Sequence, residues 1–167
     1  MNQLICALTP QLAETYRNAL MAAMRDIFAT MLGERIGRIE GRTTESPHVS
    51  ALVGLAGEFS GVITLHFSEV AACKIASGLL GMPLEQLDET VRDSIAELAN
   101  MVAGGFKKTL SPDRELFKVS IPSVIQGLQY NTRGSTASEQ LWLGAGTDSY
   151  KFDVQLIVEV KKEDKSR

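Results

Sequence analysis

The sequence predicts an α+β domain, a mostly antiparallel β-sheet with about three helices packed on it. Two patterns carry that reading. Apolar residues alternate through Val49–Leu55, Phe59–Phe67 and Phe152–Val160, the period of strands with one buried face. Three other stretches repeat apolar residues at helical spacing and begin on good capping residues. Runs of strands beside runs of helices, without regular βαβ alternation, give helices covering one face of a sheet.

The first helix starts at Thr9-Pro10, with Thr as N-cap and Pro at the first helical position. Leu12, Tyr16, Leu20, Met24 (or Ala23), Ile27 and Met31 trace one face, and Gly33 ends it. A methionine stripe at this spacing is core packing rather than a binding groove. A short strand is expected within Arg35–Arg42, and Ser46-Pro47 breaks the chain before the first hairpin. Ser68 caps a second helix, Glu69–Leu80, stopped by Gly81 and Pro83. Asp88 caps the third, which runs to about Leu110 and ends at Ser111-Pro112. Strands are expected over Leu116–Ile121 and Ser123–Asn131, a loop over Thr132–Glu139, and a final hairpin from Leu141–Gly144 and Tyr150–Val160. A single domain over residues 1–160 follows, with a charged, frayed tail at 161–167.

Composition excludes several classes. The chain is 44% hydrophobic, enough for a real core, and its net charge of −3 opposes nucleic-acid binding, which needs a basic patch. No apolar run is long enough to cross a bilayer, and the N-terminus lacks the basic and apolar regions of a signal peptide, so no membrane association and a cytoplasmic location are expected. Cys6 and Cys73 fit neither a zinc spacing nor a redox pair. His48 and His66 sit on predicted strands and read as sheet-surface or edge residues. There is no phosphate loop and no Gly-x-Ser-x-Gly elbow. The chain is expected to bind no cofactor and no metal of its own.

What remains is the third helix. At about 100° per residue, Ile95, Leu98, Ala99, Val102 and Phe106 form an apolar stripe. Asp93, Glu97, Asn100 and Gly104 fall on the opposite face. An acid and an amide at i, i+3 can reach one partner site. An amide can hold an attacking water in line for phosphoryl transfer, a reaction that needs mostly positioning and charge neutralisation. Glu97 can pair with a cation on that partner, which would supply the metal and the phosphoryl group. A plain solvated helix face accounts for the same two residues. Asp93 lies near the helix start, where an acid also serves the helix dipole. Gly104 removes a side chain, for close approach of a partner or for close helix packing. Pro122 ends or bends a strand, since it cannot donate to a ladder.

Asp93-x3-Glu97-x2-Asn100, then 21 residues and Pro122, resembles the signature of the CheC/CheX/FliY chemotaxis phosphatases. The segments Glu97-Leu-Ala-Asn-Met-Val-Ala-Gly104 and Ser120-Ile-Pro-Ser-Val-Ile-Gln-Gly127, and the Phe59–Phe67 hairpin followed by a helix ending in Leu79-Leu-Gly-Met82, are similar too. The resemblance spans about residues 8–160. It implies a CheC/CheX-like fold and hydrolysis of the aspartyl phosphate of a CheY-like response-regulator receiver in two-component signalling. Asn100 is then the catalytic residue that orients water and Glu97 the one that contacts a receiver lysine. Asp93, Gly104 and Pro122 support the site, and Mg2+ sits in the receiver. A single motif fits the CheX-like type, for which the resemblance implies a homodimer. A non-catalytic module that binds a receiver or a signalling scaffold is the alternative; a structural part in the flagellar switch fits less well.

Overall fold

A computed structural model describes residues 8–44, 46–58, 60–127, 130, 134 and 138–159. Cys6, the tail at 161–167, Phe59, Val160 and most of the expected 132–139 loop lie outside the described residues. The elements are α1 (Pro10–Ile27), β1 (Gly37–Ile39), β2 (Val49–Gly57), β3 (Gly61–Phe67), α2 (Glu69–Leu80), α3 (Glu89–Leu110), β4 (Phe117–Val119), β5 (Ser123–Gln126), β6 (Ser138–Gly146) and β7 (Lys151–Glu159). Every strand pairing is antiparallel. The sheet order is β1-β6-β7-β3-β2, with β4 and β5 both on the outer edge of β2.

Each helix begins where its capping residue predicts. Thr9, Ser68 and Asp88 accept from the backbone N–H of Leu12, Ala71 and Val91 at 3.2, 3.2 and 3.0 Å. Such caps satisfy donors that a helix start leaves open. The three helices pack on one face of the sheet. Val49, Ala51 and Val53 of β2, Ile63, Leu65 and Phe67 of β3, and Phe152, Val154 and Leu156 of β7 meet the apolar faces of α1, α2 and α3 there.

The end of the first helix departs from expectation. A π-helical turn, Phe28–Leu32, follows α1 before Gly33 closes it in the left-handed conformation at φ 68°. The wider turn delays the side-chain phase by about one residue. Phe28 is therefore fully buried, stacked on Phe152, whereas Met31, expected on the core face, is 48% exposed. Strand lengths differ as well: β1 is only three residues, and β6 begins at Ser138 inside the expected loop.

The reverse face of the sheet is also a correction. Strands with one solvated face were expected, yet Ser50, Thr64, His66, Asp153 and Gln155 are all buried on the side away from the helices. His66 is therefore no sheet-surface residue. Tyr130 Oη donates to Ser50 Oγ at 2.6 Å, Ser50 Oγ lies 2.7 Å from His66 Nδ1, and His66 Nε2 lies 3.1 Å from Gln155 Oε1. With Nε2 protonated, donation runs in one direction along this chain. Trp142 stacks on His66 at 5.2 Å and Arg42 lies over Trp142 at 4.0 Å. Asp153 accepts from the backbone N–H of Thr43 and Thr44 at 2.8 and 2.7 Å and from Thr43 Oγ1 at 2.9 Å. That carboxylate anchors the segment after β1 against the sheet. His48, expected on a strand, lies just before β2 and is partly exposed.

Asp153→Ala leaves three donors without their buried carboxylate acceptor and should cost at least about 2 kcal/mol in urea unfolding. His66 is held below its usual pKa, first by burial, against the opposing pull of Gln155 and Asp153. The unfolded chain then takes up this proton first. The contribution of His66 is complete above about pH 6.5 and declines as pH falls from there toward the folded value. Unfolding curves between pH 7.5 and 5 should show this loss, and His66→Gln should remove that component.

Candidate functional site on helix α3

The placement of α3 decides which residues can act. Val91, Ile95, Leu98, Ala99, Val102 and Phe106 are fully buried, and Phe106 meets Tyr16 of α1 edge-on at 6.0 Å. At Gly105 a Cβ would lie 2.8 Å from Ala23 Cβ, so Gly105 permits the close α1–α3 crossing. With that stripe turned inward, Asp93, Glu97 and Gly104 are exposed and Asn100 is half-buried. At about 1.5 Å per residue, the face from Asp93 to Gly104 is roughly 16 Å long.

Gly104 has no neighbour within 4 Å of its would-be Cβ. Helix packing therefore does not account for it; its neighbour Gly105 has that part. Asp93 stands near the helix start and makes no side-chain hydrogen bond or ion pair among the described residues. The exposed acids Glu89, Asp93 and Glu97 occupy the N-terminal half, and Lys107 and Lys108 the C-terminal end, a distribution that complements the helix dipole.

The helix is tied at both ends to the edge strands. Arg92 Nη1 donates to Gln126 Oε1 at 2.9 Å, and Lys107 Nζ donates to Glu115 Oε1 at 2.7 Å. The Lys107 ammonium also holds the Glu115 carboxyl below its usual range. Helix and edge thus run antiparallel, and the middle of α3 lies beside the junction of β4 and β5. On an ideal helix Asn100 sits about 20° from Lys107 and about 60° from Glu97. Of the motif residues, Asn100 leans furthest toward the edge, which explains its partial burial.

At that junction the sheet contains a β-bulge. β2 pairs Leu55 with Val119 and Leu52 with Ser123, so Ser120, Ile121 and Pro122 oppose only Val53 and Gly54. The extra residue flips the side-chain phase. Phe117 and Val119 face the core before the bulge and Val124 faces it after. Ile121, which unbroken alternation would turn inward, is 87% exposed. Ser120 holds the bulge: its N–H donates to Gly54 O at 2.9 Å, its Oγ accepts from Gly54 N at 2.9 Å, and the hydroxyl donates to Ile121 O at 2.8 Å. A Cβ at Gly54 would meet Ser120 Oγ at 3.3 Å, so this close strand approach favours glycine. Pro122 follows where no ladder N–H is required.

Asp93, Glu97, Asn100 and Gly104 therefore share one face, with Pro122 on the flanking bulge. Sequence reasoning missed Ile121 and Ser120. Their only signal was an apolar residue immediately before the proline, and the strand pattern absorbed it. Ser50 and His66 have the separation of a nucleophile and its base, but Ser50 is fully buried and its hydroxyl is engaged on both sides. Among the described residues no three His, Cys, Asp or Glu side chains gather as a metal site, and no helix is long and apolar enough to cross a membrane.

A seven-stranded antiparallel sheet with three helices packed on one face is the CheC/CheX class of fold. The family model of the chemotaxis phosphatase CheX matches residues 49–145, more than half of the chain, and the protein belongs to that family. No curated protein matches the chain. Among solved structures, a CheC-like superfamily protein from Shewanella sp. PV-4 is 23% identical, with a TM-score of 0.76 over 87% of this chain and 97% of that one. Chemotaxis protein CheX from Vibrio vulnificus is likewise 23% identical, with a TM-score of 0.76 over 86% and 96%. The CheX–CheY–BeF3–Mg2+ complex from Borrelia burgdorferi gives 23% identity and a TM-score of 0.71 over 86% and 97%.

Because both motif side chains point away from the core, Asn100→Ala and Glu97→Ala should leave the thermal unfolding midpoint close to wild type. Ser120→Ala should lower stability by about 1 kcal/mol, read by denaturant unfolding, since it removes two bonds that hold the bulge.

Proposed function

We propose that this protein hydrolyses the aspartyl phosphate of a CheY-like receiver domain in chemotaxis or another two-component pathway, with Asn100 and Glu97 as its working residues. The observation that carries this reading is the outward acid–amide pair on α3, in a chain of the CheX family. The Borrelia relative was obtained with CheY, a beryllofluoride group and Mg2+, which supports a receiver as the partner.

In this mechanism the receiver seats its phosphoaspartate against the middle of α3. The Asn100 carbonyl accepts a hydrogen bond from a water O–H, and the amide N–H2 donates to a phosphoryl oxygen. The water oxygen is thereby aligned with phosphorus, opposite the bond that breaks. Attack forms the new P–O bond while the P–O bond to the aspartate breaks; inorganic phosphate leaves, and the receiver regains its carboxylate. Positioning of this kind is the main contribution available to a catalyst of phosphoryl transfer. Glu97, one turn earlier and exposed, pairs with a receiver lysine and sets the docking register. Asp93 adds negative charge beside it, and Pro122 shapes the wall next to Asn100. Charge neutralisation comes with the receiver, which carries the Mg2+. This chain is assigned no cofactor, a cytoplasmic location and a homodimeric state, the last checked by sedimentation.

The test follows the decay of aspartyl phosphate on a Mg2+-loaded chemotaxis receiver. Wild type should accelerate it, and Asn100→Ala should reduce the acceleration at least about a hundredfold while binding persists. Glu97→Ala should weaken both affinity and rate. Binding by wild type without faster decay would identify a tethering module instead. Full activity in Asn100→Ala would remove Asn100 from the mechanism.

A further inference from the structure

The exposed face of α3 and the bulge beside it have a shape that the Glu97–Asn100 pair does not use. Ile121 is 87% exposed, against 63% or less for every other large exposed hydrophobic residue among those described. It is not loosely placed. The Ser120–Gly54 contacts fix the backbone on one side of it and Pro122 restricts the other. An apolar side chain turned into water from a fixed backbone adds little burial to this fold, and alternation alone would have turned it inward.

Gly104 presents the complementary anomaly. Gly is the poorest helix former after Pro. The other helical glycines answer to packing: a Cβ at Gly78 would lie 2.9 Å from Leu32 Cδ2, and one at Gly105 would lie 2.8 Å from Ala23 Cβ. At Gly104 a Cβ would meet nothing. The residue lies one turn beyond Asn100 on the same face, so its bare backbone is a shelf adjoining the proposed catalytic amide.

We propose that Ile121 and Gly104 are the steric half of the receiver-docking surface. Ile121 is an apolar knob that seats in the receiver beside its phosphorylated aspartate, and Gly104 is a floor on which the receiver's backbone closes. The proposal rests on the phosphatase reading above and extends it from catalysis to docking. Asp93 and Glu97 supply the charged half toward the start of α3, and the knob and shelf supply an uncharged half toward its end. Together they orient the receiver along the helix in one sense only. The occupant is a receiver domain rather than a second copy of this chain. Gly104 lies one turn beyond Asn100 on the same face and the bulge that carries Ile121 is on the sheet edge flanking α3, and one side chain plus one bare helical turn falls far short of the roughly 800 Å2 per partner of a stable interface. A transient enzyme–substrate encounter needs less.

The experiment measures phosphate release against concentration of a phosphorylated chemotaxis receiver that the wild-type chain dephosphorylates, for wild type, Ile121→Ser, Gly104→Ala and Asn100→Ala. Thermal unfolding and sedimentation are recorded for each. Loss of an apolar anchor should raise KM about tenfold or more in Ile121→Ser, with kcat at saturation kept. Gly104→Ala should raise both Tm and KM, a pairing that a merely structural glycine would not produce. Asn100→Ala should lose kcat alone. Wild-type KM in both docking variants, beside an inactive Asn100→Ala, overturns the docking proposal and leaves the phosphatase reading standing. An active Asn100→Ala removes that reading and this proposal with it. A lowered Tm in Gly104→Ala overturns the shelf. A smaller sedimenting species for Ile121→Ser at unchanged KM assigns the knob to self-association and overturns its role in docking.

Discussion

The structure depends on burial of one stripe of α3. Ile95, Leu98, Ala99, Val102 and Phe106 fill the space between α1, α2 and β2, and none is exposed. A helix buried on one side has its azimuth set, because turning it would bring apolar residues into water and polar ones into the core. The outward direction of Glu97 and Asn100 is thus a consequence of core packing on the opposite side. Gly105 tightens this arrangement by letting α1 approach, and the Arg92 and Lys107 contacts align the helix along the edge of the sheet. The proposed site therefore needs no dedicated loop: Glu97 and Asn100 stand on a rigid element whose position the whole core determines.

The sheet meets two different surroundings. Toward the helices it is apolar. On the reverse face it buries Ser50, His66, Gln155 and Asp153, each with hydrogen-bond partners. Buried polar groups without partners are costly, so such a layer demands defined geometry where an apolar layer tolerates exchange. Asp153 draws the segment after β1 onto the sheet, and Tyr130 reaches Ser50 from the chain beyond β5. These contacts lock the register of β2, and β2 carries both halves of the bulged edge.

The bulge lies on the sheet edge that runs alongside α3. One extra residue in the edge converts a core-facing position into a projecting one and puts it beside the middle of α3. Proline suits this point on an edge strand, and the bond from Ser120 to Gly54 replaces part of the lost ladder. A motif whose proline follows its asparagine after 21 intervening residues thus has a structural reading. The intervening chain completes α3, reverses, and returns along the helix to its midpoint.

Sequence by itself determined the elements and the motif-bearing face. Thr9, Ser68 and Asp88 capped the helices as expected, Gly33 and Gly81 closed two of them, and alternation located both hairpins, because capping and periodicity are local effects that each segment carries within itself. The outward face of Asp93, Glu97, Asn100 and Gly104 was legible for the same reason, since helical spacing alone separates it from the apolar stripe. What only tertiary structure decided are the places where local periods fail or where partners come from far along the chain. The π-turn moved Met31 off the core, and the bulge expelled Ile121; both are one-residue changes of phase that leave composition untouched. His66 read as a surface residue because its partners Ser50 and Gln155 are brought to it by strand pairing, 16 and 89 residues away. Gly104 and Gly105 are indistinguishable as letters, and only the crossing of α1 at Ala23 assigns one to packing and leaves the other open.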